Sequence, residues 1–134
     1  MIYYRQSLEG VQPTHLVGFF DGWPNAPSPN THLQILRGSS EVVLALDSET
    51  PQVVGYVTAI TDGVLSAYIP LLEVLPTHRR RGIGSELLHQ MLLRLDRLYM
   101  IDLVCDCDLK DFYKRVGMIE QSAMSLRNRQ NQAG

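Results

Sequence analysis

Lysine is nearly absent from these 134 residues: of 12 basic side chains only Lys110 and Lys114 are not arginine, and 14 acidic residues leave a formal net charge of −2. That balance encodes no general electrostatic attraction to nucleic acid or to an anionic membrane, so any anion attraction must be local. Cysteine is scarce too. Cys105 and Cys107 stand two apart in an apolar segment and would share one face of a strand, an awkward geometry for a mutual disulfide. A reduced, cytoplasmic setting is the expectation. No stretch approaches the ~20 apolar residues of a membrane span, and the opening MIYYRQSLEG lacks the charged-then-apolar profile of a signal peptide. Internal repeats and low-complexity tracts are also missing. The four histidines, His15, His32, His78 and His89, show no metal-ligand spacing, so no metal is expected.

What is present is a chain of the length of one domain. We expect a single domain over residues 1–134, with 127–134 (RNRQNQAG) fraying. IYYR reads as a short strand. PTHLVGFFDGW follows with Leu16, Phe19, Phe20 and Trp23 at helical spacing, and a second short helix runs from Asn30 or Thr31 to Gly38 after the proline-rich loop PNAPSPN. EVVLALD, QVVGYVTAI and VLSAYIPLLEVLP are β-branched runs separated by polar turns, a three-strand meander over residues 41–75. Pro70 interrupts the third run, where a central strand would lose a ladder hydrogen bond, so a bulge or splay is expected there. From Ile83 to Leu98 the apolar residues recur at helical spacing. MIDLVCD is then a strand, LKDFYKRVG a short helix capped by Gly117, and MIEQ and AMSLRN two weak strands. The order β-α-α-β-β-β-α-β-α-β-β describes an α+β fold, a mixed and mainly antiparallel sheet with helices on both faces.

The chemistry concentrates at RRRGIG, residues 79–84, between a strand ending at Val74 and a helix opening at Gly82. A helix start leaves its first N–H groups unpaired and carries partial positive charge, which makes an anion site. Gly82 and Gly84 lack a Cβ, so a phosphate can approach the main chain, and Arg79, Arg80 and Arg81 can add charge-assisted bonds at the rim. The spacing is neither G-x-x-x-x-G-K-[ST] nor G-x-G-x-x-G.

LLEVLPTHRRRGIGSELL, with its R-x-x-G-x-G, and DFYKRVGM, with a tyrosine four residues before a glycine, resemble the two signatures of the GNAT superfamily of N-acetyltransferases, in the right order over almost the whole chain. The resemblance implies acetyl-CoA as cosubstrate, its pyrophosphate on the backbone from Arg79 through Gly82, Ile83 and Gly84 to Ser85, and its pantetheine arm paired with Leu72, Glu73 and Val74. It implies a splay of the fourth and fifth strands near Pro70. Tyr113 matches the family tyrosine assigned as general acid, with Phe112 beside it against the cofactor. Asp106 stands where many relatives carry an asparagine that bonds the pantetheine, and an ionised aspartate accepts but does not donate. Met118 replaces a usual phenylalanine. The base stays open between Glu73, Tyr68 and a water chain.

Acceptor contacts are expected from Phe19, Phe20, Trp23 and Tyr68, although buried phenylalanines are more often core than pocket. Cys105 and Cys107 read as small packing residues, while some relatives carry a reactive cysteine near the cofactor. The leading function is acetyl-CoA-dependent transfer to a primary amine of a small molecule or protein. The alternative is a non-catalytic CoA-binding regulatory module, and nucleic-acid binding through Arg79–Arg81 ranks last. Whether two copies pair as a homodimer is left open.

Overall fold

The computed structural model describes residues 1–134. The β-branched runs form the centre of the fold. β1 (Ile2–Arg5), β2 (Glu41–Asp47) and β3 (Val53–Thr61) pair antiparallel in that order. Beyond β3 the third run is broken at Pro70 into β4 (Ser66–Tyr68) and β5 (Leu72–Val74), both antiparallel to β3. β6 (Met100–Asp102) adds to β4 in parallel. The sheet is thus mixed and mostly antiparallel, and Val53 to Ala59 are all buried because β3 is covered on both faces.

One face receives α2 (Ile83–Arg94), which buries Ile83, Leu87, Leu88 and Met91. Such side chains contribute roughly 1.5–3 kcal/mol each when fully buried. Gly55 allows the close approach: a Cβ there would come within 3.0 Å of Leu87. The other face receives α1 (Pro29–Gly38), whose start is set by Ser28 accepting from the Thr31 N–H and by Pro29 in the first turn. α3 (Lys110–Lys114) follows β6 and a short 3-10 turn at Cys107–Leu109. A single cluster of 25 buried apolar residues joins these layers.

The α+β class and the sheet with helices on both faces hold as expected. MIDLVCD pairs only over Met100–Asp102, so Cys105 lies outside the strand and Cys107 in a 3-10 turn, and two further segments depart. PTHLVGFFDGW forms only a 3-10 turn at Pro13–Leu16. Gly18, Phe20 and Gly22 all take left-handed backbone angles, which end a helix, yet the resulting coil still buries Phe19 and Phe20. MIEQ and AMSLRN are not strands: residues 119–127 make no backbone–backbone hydrogen bond, and Met124 is 99% exposed. Their alternation is broken by Glu120, Gln121 and Ser122, so neither face offers a sheet a continuous apolar strip. The terminal residues turn through a 3-10 segment at Arg129–Asn131, and the Asn25 N–H donates to Gln132 Oε1 at 2.8 Å.

Between α1 and the sheet His32 lies in an aromatic nest, its ring centroid 4.5 Å from Tyr56, 4.9 Å from Phe20 and 5.3 Å from Phe19. Neither imidazole nitrogen has a protein partner, and burial lowers its pKa from 6.5 to about 4. The folded state therefore takes up the His32 proton less readily than the unfolded chain, so stability falls as pH drops through the window from 6.5 to 4. Between pH 7 and 4.5 this group alone should remove about 2 kcal/mol. Denaturant midpoints should show that loss, and His32→Phe should flatten it.

Candidate active site

Three features flank β5, the first of them where β5 gives way to α2. After the 3-10 turn Pro76–His78 the chain passes Arg80 and Gly82, both left-handed at φ 61° and 78°, and enters the helix at Ile83. Alternation of that kind turns successive N–H groups toward one concavity. The N–H groups of Arg80, Arg81, Gly82, Ile83, Gly84 and Ser85 meet no acceptor in the protein. A Cβ built on Gly82 would meet nothing within 4 Å, so the space before these donors is open. The concavity fits an anion held mainly by the main chain.

The second feature is the splay. β4 and β6 stay in register as far as Tyr68 opposite Asp102, and the Ile69 N–H still donates to the Asp102 carbonyl at 2.9 Å. Beyond that bond Pro70 supplies no donor, β5 follows β3, and the chain after β6 diverges from it. In the register of β5 on β3, Glu73 exchanges bonds with Tyr56, while the polar backbone groups of Leu72 and Val74 turn to the free edge. At the vertex a cavity of about 220 Å³ is lined by Ile69, Pro70, Leu72, Val104, Cys105, Asp106, Leu109, Tyr113 and Arg127. A wider depression of about 520 Å³, over Gln6, Glu86, His89, Gln90, Leu93 and Arg94, has one apolar wall and none of these features.

The third feature is Tyr113, brought to the slot by α3. Burial, with the neighbouring Cys105 as a lesser cause, pushes its hydroxyl up to about 12, so it stays protonated through the neutral range. Phe112, its neighbour at 4.9 Å between ring centroids, turns the other way and lies 3.8 Å from where a Gly84 Cβ would stand.

Other expected site residues are placed differently from their sequence roles. Glu73 lies on the Tyr56 face, where its two carboxylate oxygens accept from the N–H groups of Phe20 (2.8 Å) and Asp21 (3.1 Å). Both oxygens are thus engaged in holding the irregular loop to the sheet. Arg79 directs its guanidinium away from the concavity: Nε donates to the Val74 carbonyl at 3.0 Å, and Nη1 is 3.4 Å from Asp21 Oδ2. Arg80 and Arg81 are exposed with no ion pair to a protein carboxylate. Phe19 and Phe20 are core residues; Trp23, half exposed, leans on Phe20 at 5.0 Å, and Tyr68 is partly exposed at the end of β4. Sequence reasoning had no signal for Ile69 or Arg127 in the slot, because both depend on how distant segments cross. The two cysteines are free, Cys105 half-buried in the slot and Cys107 exposed.

A strand–turn–helix concavity of free amides, a splayed sheet edge at the other end of β5 and a protonated tyrosine at its vertex mark the class of acyltransferases to which the two signatures point. The sequence matches the acetyltransferase (GNAT) family over residues 8–118, and the chain belongs to that family. A solved chain from Deinococcus radiodurans R1 is 49% identical, with a TM-score of 0.96 over 99% of this chain and 92% of that one. A GNAT-family acetyltransferase from Streptococcus pneumoniae TIGR4 is 28% identical, with a TM-score of 0.71 over 96% of this chain and 99% of that one. The glucosamine-6-phosphate N-acetyltransferase of Arabidopsis thaliana shares the fold at 14% identity, with a TM-score of 0.68 over 95% and 97% of the two chains. No curated protein matches the sequence. No helix is long and apolar enough to cross a membrane.

Proposed function

We propose that this acetyltransferase uses acetyl-CoA to acetylate a primary amine directly, on a small molecule or a protein, in the cytoplasm. The observation that carries the reading is the run of six partnerless N–H groups from Arg80 to Ser85, set at one end of β5 with the splay at the other. A pyrophosphate suits the first and a slender neutral arm the second. The backbone of Arg80–Ser85 would hold the diphosphate, the free edges of Leu72 and Val74 the amides of the arm, and Phe112 and Tyr113 its far side. When bound, acetyl-CoA supplies an acetyl group activated as a thioester.

The chain's own residues then divide the proton and charge work. The Leu72 N–H, turned to the free edge in the wall of the splay, is a fixed donor for developing negative charge on oxygen. Tyr113 keeps its proton through neutral pH and can give it to a departing thiolate. Glu73, with both oxygens on Phe20 and Asp21, positions the loop, which leaves removal of the amine proton to Tyr68 or to water. Asp106, in the slot wall, would accept from an amide N–H of the arm, where an asparagine could also donate.

Release of free thiol from acetyl-CoA, screened against polyamines, aminoglycosides, amino acids and peptide N-termini, tests the proposal. Thiol release with at least one amine, and acetylated product by mass, is the expected result. Tight acetyl-CoA binding with no thiol release across the panel would favour a CoA-binding regulatory module.

A further inference from the structure

The C-terminal arm reaches the slot at Arg127. Glu120 is held by Lys110 and Lys114 of α3 at one end, and Gln132 is held by the Asn25 N–H at the other. Between these anchors the arm makes no backbone–backbone bond over residues 119–127, yet it brings Arg127, itself solvent-exposed, to the lining of the splay cavity that Tyr113 also lines. No protein carboxylate pairs with this guanidinium. Asp106, the one acid in the same wall, is not within ion-pair distance, and the only hydrogen bond Arg127 makes is a 3.4 Å contact from Nη1 to the neighbouring Leu126 carbonyl.

A cation at that point has no counterpart on the cosubstrate. The diphosphate's concavity lies at the opposite end of β5, and the arm and thioester that would occupy the splay are uncharged. Resting on the amine-acetylation reading above, we propose that Arg127 is a specificity residue that binds an anionic group, a carboxylate or a phosphate, carried by the acceptor amine. Its planar fork suits either oxyanion, and a bidentate contact would orient the amine relative to Tyr113.

Equilibrium binding to CoA-saturated protein tests this without requiring turnover. Phosphoethanolamine is compared with ethanolamine, and β-alanine with its carboxamide, for the wild type, Arg127→Gln and Arg127→Lys. The wild type should prefer at least one charged member by about tenfold, the range of a charge-assisted contact. Which pair shows the preference distinguishes phosphate from carboxylate. Arg127→Gln should bring the ratio close to one, Arg127→Lys should keep part of it, and CoA affinity should be equal in all three. The same ratio in wild type and Arg127→Gln, no preference in the wild type, or a loss of CoA affinity in Arg127→Gln would each overturn the assignment. Because the readout is binding, protein that releases no thiol still reports on Arg127, so the two proposals fail separately.

Discussion

Tyr113→Phe should lower kcat by roughly 100-fold or more, the range of a lost general acid, while leaving the affinity for CoA within about twofold. The substitution removes one oxygen and keeps the ring that packs in the slot wall, so the fold and the cofactor contacts of α3 are retained. The hydroxyl is held up to about 12 chiefly by burial, which disfavours the phenolate. The sign matters for the pH profile. A group raised in this way is protonated throughout the neutral and mildly alkaline range, so wild-type kcat should show no loss of an acid until pH approaches 12. Any rise in rate at lower pH then reports deprotonation of the amine or of its base. Steady-state kinetics across pH 6–10, with CoA affinity from equilibrium titration, separate the effects. Unchanged kcat in Tyr113→Phe would remove this residue from proton transfer and leave it as packing.

The sequence makes the anion concavity legible because its cause is local. Two glycines and a helix start stand within six residues, and periodicity from Ile83 onward locates the helix. The break at Pro70 is legible for the same reason, since proline has no N–H to give to a ladder. What is not legible arises from contacts between segments far apart in the chain. Glu73 presents itself as the only acid in its strand, and nothing local reveals that Phe20 and Asp21, more than fifty residues away, take both its oxygens. Arg79 occupies a motif position, yet Asp21 and the Val74 carbonyl claim its guanidinium. The helical spacing of Leu16, Phe19, Phe20 and Trp23 is real, but left-handed angles at Gly18, Phe20 and Gly22 override it once the two phenylalanines bury against Tyr56. In each case the burial or pairing of a side chain with a distant partner outweighs a local pattern worth a few tenths of a kcal/mol per residue.

The division of labour between backbone and side chains at residues 79–84 leads to an ordered pair of losses. Gly82→Val should weaken acetyl-CoA binding by about 100-fold or more, and Arg80→Gln by only a few-fold. Valine at φ 78° is forced from the left-handed region, at a cost of roughly 1–3 kcal/mol if the turn is kept; if the turn relaxes, the N–H groups of Arg81 to Gly84 no longer face one point. The empty surroundings of the Gly82 Cβ position mean that nothing in the protein is struck, so the effect falls on the concavity and not on the core. Melting temperature should therefore drop by roughly 3–10 °C, the range of that backbone strain alone, with α2 still packed through Leu87, Leu88 and Met91. Arg80 is exposed and unpaired, and a single charge at the rim of a solvated site adds about 1 kcal/mol or less. Isothermal titration of both variants at two salt concentrations gives the comparison, with the small Arg80 effect shrinking further as salt rises. If Arg80→Gln cost more affinity than Gly82→Val, the guanidinium groups and not the main chain would hold the phosphates.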